Sequence, residues 1–293
     1  MGSLSAMQLR LPNRVLKFPR RPLVMGIINV NDDSFSGDGS LAADDAVAMA
    51  RAQIAAGADV IDIGAESART NRAAIPEAEE ILRFQSVIAR WPEMVADTAP
   101  RDDAQVWPPA LSANTWRPAV VKAVLQMEGV EMINDMGALP DATNARLCAE
   151  AGAALLIMHS VGEPKVPHFD QHWADVMGEL ERFFTEKIKL ATEAGLPEDS
   201  IFLDPGIDFA KQRDDNLTIY KHLGRIAALG RPVLVPVSRK TVIGETLELP
   251  DPRDRDAGTI ACIATSIARG GSIFRVHNVE AAWQAVKVLD AVR

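Results

Sequence analysis

Two short motifs near the C-terminus have the residue types and spacing of an anion-binding site. Arg275 and His277 are two residues apart, and so are Ser238 and Lys240. In an extended strand, residues two apart point to the same side, so each pair would share one face. A guanidinium beside an imidazole favours a phosphate or pyrophosphate, although a structural ion pair would use the same residue types. The lysine could bind a phosphate, a carbonyl or a carboxylate, or lie solvated at the surface.

Two further motifs could recognise the edge of a heterocycle. Asp204 is followed by Pro205 and Gly206, which would hold its carboxylate rigidly. A carboxylate pairs well with a guanidine-like edge, such as that of a pterin or a guanine. Asn134 offers such an edge both a donor and an acceptor. Each motif also has an ordinary structural interpretation, since aspartate and asparagine are common in turns.

An oxygen-rich loop begins at Asn29 and includes Asp32, Asp33 and Ser34. Mg²⁺ prefers oxygen ligands and often shares them with substrate phosphates. Asn29 is therefore a candidate ligand for a Mg²⁺ ion carried with a pyrophosphate, and a solvated loop is the alternative. The two cysteines lie far apart without metal-site spacing, so we expect reduced core thiols.

Eight strand-like segments alternate with helix-like segments, and the motifs above lie where strands end. The strand-like segments are Val24–Val30, Asp59–Glu66, Ala110–Thr115, Glu131–Met136, Ala154–Ser160, Ile201–Gly206, Pro232–Ser238 and Ile273–Asn278. This alternation predicts a single-domain α/β fold, a (β/α)8 TIM barrel over residues 22–293, whose strand ends share one face. We expect these residues to converge there: Asn29, Asp62, Asn114, Asn134, His159, Asp204, Lys240, Arg275 and His277.

The composition fits this architecture and excludes several functions. The chain has 293 residues, and such a barrel typically needs about 250. A net charge of −9 argues against a broad contact surface for phosphate backbones, so we expect no nucleic-acid partner. No apolar run reaches the length of a membrane span, and the N-terminus has no apolar signal core. We therefore expect a cytoplasmic protein with no membrane partner.

Several segments outside the strands have distinct characters. Residues 1–21 form a basic lead-in, which we interpret as a solvated face. We expect a helix over Ala78–Trp91, followed by a surface excursion over the proline-rich stretch Pro92–Pro109. We expect the longest helix over Trp173–Ala194. The loops 29–39 and 65–75 are polar, and the first contains glycine, which is typical of mobile lids that order when a ligand binds.

Taken together, the motifs resemble those of the dihydropteroate synthase family over about residues 24–290. The family's first loop is similar to N-V-T-P-D-S-F-S, and here Asn29–Ser36 read NVNDDSFS. Its second strand end is similar to D-I-G-G-E-S-T-R-P, and here Asp62–Thr70 read DIGAESART. Further blocks in the same order are IND, LDPGIDFAK, VSRKTVIG, GT and RVHN.

The resemblance implies a reaction in which 7,8-dihydropterin-6-methyl pyrophosphate and 4-aminobenzoate give 7,8-dihydropteroate and pyrophosphate. It also implies early cleavage of the C–O bond, followed by arylamine attack on a pterin-stabilised cation. Catalysis would then consist mainly of positioning and charge stabilisation. The implied cofactor is Mg²⁺, and the implied assembly is a homodimer through the late helices, where Ala261–Ala268 is rich in small residues.

The resemblance also assigns roles to residues by motif. The pterin would be held by Asn114, Asn134, Asp204 and Lys240, of which Lys240, Asp204 and Asn114 would be catalytic. The pyrophosphate would be held by Asn29, Arg69, Arg275 and His277, with Mg²⁺ at Asn29. The aminobenzoate would lie near Arg239, Thr241, Ala68 and Thr70.

Some residues depart from the family pattern. In the family, the aspartate of an S-x-D-T motif places a negative charge beside the pterin cation. Here Asn114 stands in the position of that aspartate. Asp208 and Ala210 replace two glycines. The remaining departures are Asn31, Asp32, Ala68, Thr70 and Asn278.

Two alternative functions follow from the same residues. A methyltetrahydrofolate–corrinoid methyltransferase also binds a pterin at strand ends, but it needs no pyrophosphate clamp such as Arg275 and His277. A paralogue that binds a pterin without turnover, or that uses a different arylamine, is favoured by Asn114.

Overall fold

The structure is a computed structural model that describes residues 7–18, 20–31, 43–67, 73–166, 168 and 170–292. Its strands are β1 (Gln8–Leu11), β2 (Arg14–Lys17), β3 (Leu23–Asn29), β4 (Val60–Gly64), β5 (Ala110–Asn114), β6 (Val130–Asp135), β7 (Ala154–Met158), β8 (Ile201–Asp204), β9 (Val233–Val235) and β10 (Gly271–Val276). Strands β3 to β10 are parallel and close into a barrel in which β10 pairs with β3. The prediction of a (β/α)8 barrel is confirmed.

Helices connect the strands and form the outer layer of the barrel. They are α1 (Ala43–Ala55), α2 (Glu77–Ile88), α3 (Trp91–Ala96), α4 (Pro118–Val124), α5 (Thr143–Ala151), α6 (Val176–Glu193), α7 (Arg213–His222), α8 (Gly224–Ala227), α9 (Thr241–Leu247), α10 (Asp256–Ile267) and α11 (Val279–Ala291). No helix in the described part of the chain is both long and apolar enough to cross a membrane.

Several predicted boundaries differ from the observed ones for identifiable reasons. The predicted excursion contains α3, because Pro92 lies in the first turn of that helix, where a missing N–H costs nothing. The long helix α6 begins at Val176 because Asp175 caps it by accepting a hydrogen bond from Gly178 N at 2.9 Å. Strand β9 is short because prolines bracket it and cannot donate to the ladder.

Residues 7–18 form a hairpin that closes the amino-terminal end of the barrel, which the sequence did not predict. Strands β1 and β2 pair antiparallel, with Leu9 opposite Leu16. The side chains of Leu9, Leu11 and Phe18 are buried against the lowest layer of the barrel interior, together with Leu23. The hairpin therefore contributes to the core and does not lie on the surface as a solvated lead-in.

Some basic residues of this region also bind the protein, so the predicted solvated face is wrong for the buried Arg21 but not for the exposed Arg10 and Lys17. Arg10 forms an ion pair with Asp199 at 2.8 Å. Arg21 is 6% exposed, and its Nη2 lies 3.4 Å from Asp59 Oδ1. Burial raises the pKa of Asp59 to about 6, against the opposing charge of Arg21.

The strand register brings the polar strand ends to one level at the carboxyl face. Asn29 is paired in register with Gly64, Gly64 with Asn114, and Asn114 with Asn134. The residues one position earlier, Ile28, Ile63, Ala113 and Ile133, are buried in the apolar layer between the strands and the helices. The parallel arrangement thus places side chains from distant parts of the sequence side by side.

Candidate active site

Asp62 joins three other strand ends at the carboxyl face of the barrel. It is fully buried, and its Oδ1 accepts a hydrogen bond from Ser112 Oγ at 2.6 Å. Its Oδ2 accepts bonds from Asn134 Nδ2 at 3.0 Å and from Arg275 Nε at 2.7 Å. Hydrogen bonds to an ionised group are short and strong. Asp62 therefore fixes the orientation of both Asn134 and Arg275.

Asn134 keeps one polar atom without a partner. Its amide nitrogen is bound to Asp62, but its Oδ1 is buried and accepts no hydrogen bond from the described residues. A buried oxygen without a donor costs about 1–3 kcal/mol. An N–H of a bound ligand would satisfy this oxygen.

Asp204 presents a carboxylate at the end of β8. Its Oδ1 accepts a hydrogen bond from Gly206 N at 2.7 Å, and its Oδ2 accepts none from the described residues. Burial raises the pKa of Asp204 to about 6, opposed by the Gly206 bond and by the charges of Lys240, Lys211 and Arg275. At neutral pH the carboxylate is therefore predominantly ionised and can accept N–H bonds from a heterocycle edge.

The charges of two lysines, the buried Lys211 and the half-buried Lys240, act on this carboxylate. Lys240 Nζ donates to Ile207 O at 2.9 Å and lies 5.1 Å from the ring centre of Phe209, so it is not a solvated surface lysine. Lys211 Nζ lies 2.8 Å from His159 Nδ1. Burial lowers the pKa of both lysines, that of Lys211 to about 7. Both ammonium groups raise the positive potential around Asp204.

His159 does not join the pocket, which corrects the prediction that it would. Its ring packs edge-on against Trp173 and Phe183, with centroid distances of 5.5 and 4.8 Å. Burial, together with the charge of Lys211, lowers the pKa of His159 to about 2. The neutral ring instead accepts from Lys211 and so anchors the loop after β8.

The carboxyl ends of β9 and β10 are joined by side-chain hydrogen bonds. His277 Nδ1 lies 2.8 Å from Ser238 Oγ, which also accepts from the backbone N–H of His277 at 3.1 Å. Arg239 Nε is bound to Asp256 Oδ1 at 2.8 Å, and Asn278 Nδ2 donates to Asp256 Oδ2 at 3.0 Å. The role of Arg239 in binding an aminobenzoate stays a prediction. A ligand bound to this guanidinium would compete with, or add to, its ion pair with Asp256.

Asn29 and Asn114 flank Gly64 at the mouth of the barrel. A Cβ atom built on Gly64 would lie 3.7 Å both from Asn29 Oδ1 and from Asn114 Cβ. Asn114 is 8% exposed, and its Nδ2 lies 3.4 Å from Met136 Sδ, a weak acceptor. The amide at position 114 is thus close to the other strand-end residues but supplies no negative charge.

Thr241 lies at the start of α9 and is exposed. Its backbone N–H donates to Asp208 Oδ2 at 2.6 Å. Asp208 and Ala210 both have left-handed backbones, with φ of 69° and 51°. Glycine adopts this conformation without strain, which accounts physically for the glycines that the resemblance leads one to expect at these positions.

A family model described as pterin binding enzyme matches residues 25–277, a range that includes every strand end described above. The chain belongs to the pterin-binding enzyme family. A dihydropteroate synthase of Synechocystis is 36% identical over 275 residues, covering 93% of this chain and 91% of the relative.

Two solved structures are similar to the present chain over nearly their whole length. A dihydropteroate synthase of Xanthomonas albilineans with 4-aminobenzoic acid is 35% identical, with a TM-score of 0.83 and 98% of both chains covered. That of Burkholderia cenocepacia, complexed with 7,8-dihydropteroate, is 31% identical, with a TM-score of 0.83, covering 98% of this chain and 97% of the other. The resemblance expected from the sequence motifs is confirmed.

A buried ionic cluster in this pterin-binding enzyme was not found by sequence reasoning. Glu66 accepts from Lys165 Nζ at 3.0 Å and forms an ion pair with Arg117 at 2.7 Å. Arg117 also pairs with the fully buried Glu80, and its Nη1 donates to Ile75 O at 2.6 Å. A single sequence offers no signal for this cluster, because its members come from three separate connections and from helix α2. It holds both ends of the second loop.

Some predicted site residues lie outside the described residues. They are Ala68, Arg69 and Thr70 in the second loop and Asp32, Asp33 and Ser34 in the first. Within the described ranges, no group of three or more His, Cys, Asp or Glu side chains could hold a metal ion. Of the candidate Mg²⁺ ligands, only the amide oxygen of Asn29 is placed.

Proposed function

We propose that this member of the pterin-binding enzyme family is a dihydropteroate synthase. It condenses 7,8-dihydropterin-6-methyl pyrophosphate with 4-aminobenzoate and releases 7,8-dihydropteroate and pyrophosphate. The observation that carries the proposal is the pair formed by Asn134, with its unpartnered buried oxygen, and Asp204, with its open carboxylate. The names of the relatives support it, and two solved relatives hold 4-aminobenzoic acid and 7,8-dihydropteroate.

The pterin would bind by its guanidine-like edge. The carboxylate of Asp204 can accept the 2-amino and ring N–H groups, and the free oxygen of Asn134 can accept another N–H. The ammonium of Lys240 could exchange its bond with Ile207 O for the pterin carbonyl. A site with buried polar groups strongly rejects a molecule that leaves them unpaired.

The pyrophosphate would leave into a cationic region at the ends of β3 and β10. The C–O bond of the substrate methylene breaks, and its electron pair goes to the pyrophosphate oxygen. Asp62 holds Arg275 only through Nε, so the terminal nitrogens of that guanidinium can face the phosphates. His277 and Asn29 lie on the neighbouring strand ends, and Arg69 is proposed to reach the pyrophosphate from the second loop.

Mg²⁺ is proposed to arrive with the pyrophosphate and not to be a resident ion. The amide oxygen of Asn29 is the kind of hard ligand that Mg²⁺ prefers, but one oxygen cannot complete its octahedral shell. Substrate phosphate oxygens and water would supply the other ligands. The bound ion would neutralise charge that develops on the leaving pyrophosphate.

The arylamine would attack the methylene carbon after the pyrophosphate has left. Its nitrogen forms the new C–N bond and then loses one proton to solvent. Thr241, Arg239 and the second-loop residues Ala68 and Thr70 are proposed to surround the ring. The negative charge that would stabilise the pterin cation is missing at Asn114, so turnover is expected to be slow with the pterin still bound tightly.

Product analysis tests the proposed reaction directly. The protein is incubated with the pterin pyrophosphate, 4-aminobenzoate and Mg²⁺, and 7,8-dihydropteroate is detected by mass spectrometry while pyrophosphate release is followed in a coupled assay. Both products should form in equal amounts, and the Asp204→Asn variant should form neither. Tight pterin binding without either product would instead indicate a non-catalytic paralogue. The corrinoid methyltransferase alternative is disfavoured by Arg275 and His277, which that reaction does not need.

We also propose a homodimer through α10 and α11, in a cytoplasmic protein. The exposed side chains of these packed helices include Ala257, Ala261 and Val288, the last 63% exposed, and Val292 directly after α11 is 74% exposed. Burial of such apolar surface is the main driving force of association. Sedimentation velocity measures the mass in solution, and a monomer at micromolar concentration would contradict the proposal.

A further inference from the structure

The carboxylate of Asp208 is hydrogen-bonded to the first turn of α9. Its Oδ2 accepts from Thr241 N at 2.6 Å, and its Oδ1 accepts from Val242 N at 3.3 Å. From the other side, Asn216 Oδ1 accepts from Asp208 N at 3.0 Å, and Asn216 Nδ2 donates to Asp208 Oδ1 at 3.2 Å. The carboxylate therefore has one orientation, set by two separate elements.

The charge of Asp208 is not cancelled by a direct ion pair. Its carboxylate accepts from neutral donors, Asn216 Nδ2 and the backbone N–H groups of Thr241 and Val242, and within the described ranges no Lys, Arg or His nitrogen lies within ion-pair distance of it. The ammonium group of Lys240 donates to Ile207 O and attracts the charge of Asp208 without forming an ion pair with it. The carboxylate itself lies at the backbone of the exposed residue Thr241.

The family resemblance implies that Thr241, in the position of a family serine, lies near the carboxylate of the arylamine. An arylamine that carries a carboxylate would bring a second negative charge to a place that already holds one. Like charges repel in a partly desolvated pocket, and in many binding sites such repulsion discriminates between ligands. An uncharged group of the same shape would meet no such repulsion.

We propose that Asp208 is a specificity-determining residue for the second substrate. It disfavours an anionic substituent on the arylamine relative to an uncharged one of the same shape. The enzyme is therefore less selective for 4-aminobenzoate over its neutral amide than it would be without this carboxylate. The inference rests on the proposed function, whose arylamine site it refines.

The test compares 4-aminobenzoate with 4-aminobenzamide, which has nearly the same shape and no charge. The ratio of kcat/KM for the acid to kcat/KM for the amide is measured in the wild type, in Asp208→Asn and in Asp208→Gly. Asparagine tolerates the left-handed backbone and can accept from Thr241 N, so it removes mainly the charge. We expect the ratio to rise by about tenfold or more in both variants, as for a weakly screened pair of like charges.

Asp251→Asn is the matched control. Asp251 is also an aspartate that accepts from a backbone N–H, that of Arg253 at 2.9 Å, and it lies in the loop after α9. Its replacement should leave the ratio unchanged. Raising the salt concentration should increase the wild-type ratio and leave that of Asp208→Asn nearly constant, because salt screens repulsion between charges.

The outcomes separate this inference from the proposed function. A ratio in both folded Asp208 variants within about twofold of the wild type would overturn the role of Asp208, whatever the reaction rate. If neither arylamine is converted by any protein, the proposed function fails. The same ratio is then taken from calorimetric dissociation constants of the two arylamines in the presence of pyrophosphate and the pterin alcohol, and it still decides the role of Asp208.

Discussion

At the scale of single residues, the pocket contains two buried carboxylates with different surroundings. Asp62 is bound by three side chains and acts as an internal support. Asp204 has one backbone bond, and burial raises its pKa to about 6. The first is suited to orient other residues, and the second is available to a ligand. Residue type does not distinguish them, because the difference lies in their hydrogen-bond partners.

Pterin affinity should fall as the pH drops through about 6. The ionised carboxylate of Asp204 accepts N–H bonds, and protonation below its raised pKa of about 6 removes that capacity. Lys211, whose pKa burial lowers to about 7, stays predominantly charged while Asp204 is protonated. Calorimetric titration between pH 5 and pH 8, run on the wild type and Asp204→Asn, measures the effect. The variant should bind weakly with no such pH dependence, and an equally flat wild-type profile would refute the assignment.

The same pKa has a consequence for the stability of the ligand-free protein. Because the pKa of Asp204 is raised from 3.8 to about 6, the folded state binds the proton more tightly than the unfolded state. Its contribution to the free energy of unfolding therefore decreases as the pH rises from about 4 to about 6. The difference in free energy of unfolding between the wild type and Asp204→Asn should follow this direction.

Asn114→Asp should raise kcat. A preorganised charge beside a developing charge contributes about 10²–10³ in rate in comparable sites. Asp135 cannot replace it, because its carboxylate is turned away and accepts from Gly137 N and Asn144 Nδ2. We expect kcat to increase about tenfold or more while KM changes less, since the gain lies in the transition state. Steady-state kinetics of the wild type and Asn114→Asp measure this effect, and Asn114→Ala is the control, which should not be faster than the wild type. A kcat of Asn114→Asp no higher than that of the wild type would mean that another group, such as Asp62, already supplies the charge.

At the scale of elements, the loop after β4 is held by the loop after β7. Lys165 Nζ donates to Glu66 Oε1 at 3.0 Å, to Ser67 O at 3.0 Å and to Ala73 O at 3.2 Å. These three oxygens lie on both sides of residues 68–72. A single ammonium group thus joins the two ends of the segment that carries Arg69.

Lys165→Ala should make the second loop easier to cleave and weaken binding of the pyrophosphate. The variant loses the group that joins the loop ends, and buried carboxylates that lose a partner are costly. Limited proteolysis should show faster cleavage between residues 66 and 75, slowed by pyrophosphate with Mg²⁺. Lys189→Ala is the control, because Lys189 pairs with Glu193 on an exposed face of α6. Equal cleavage of the two variants would show that Lys165 does not hold the loop.

At the scale of the whole molecule, the core has two parts. One lies between the strands and the surrounding helices, and the other fills the lower barrel interior. The hairpin of β1 and β2 belongs to the second part, through the buried residues Leu9, Leu11, Leu16 and Phe18. Stability and catalysis are therefore assigned to opposite ends of the barrel, as is general for this fold.

Leu9→Ala should lower the free energy of unfolding by about 2–5 kcal/mol, the usual cost of truncating a buried leucine. The active-site end is distant, so kcat at a temperature where the variant is folded should stay unchanged. Urea unfolding measures the first effect and steady-state kinetics the second. Val15→Ala in the same hairpin, at a residue 38% exposed, should change stability much less. Similar losses in both variants would contradict the assignment of the hairpin to the core.

The sequence by itself determined the barrel and the set of strand-end residues, because alternating strands and helices in a parallel barrel bring every strand end to one face. It could not determine which side chains meet. Arg275 binds Asp62 across 213 residues of sequence, and Arg239 turns to Asp256. The position of His159 could have been predicted, because it continues the alternation of Leu155 and Ile157, which pack against the helix layer. The pairings of Arg275 and Arg239, and the burial of the amino-terminal hairpin, depend on neighbours that only barrel closure brings into contact.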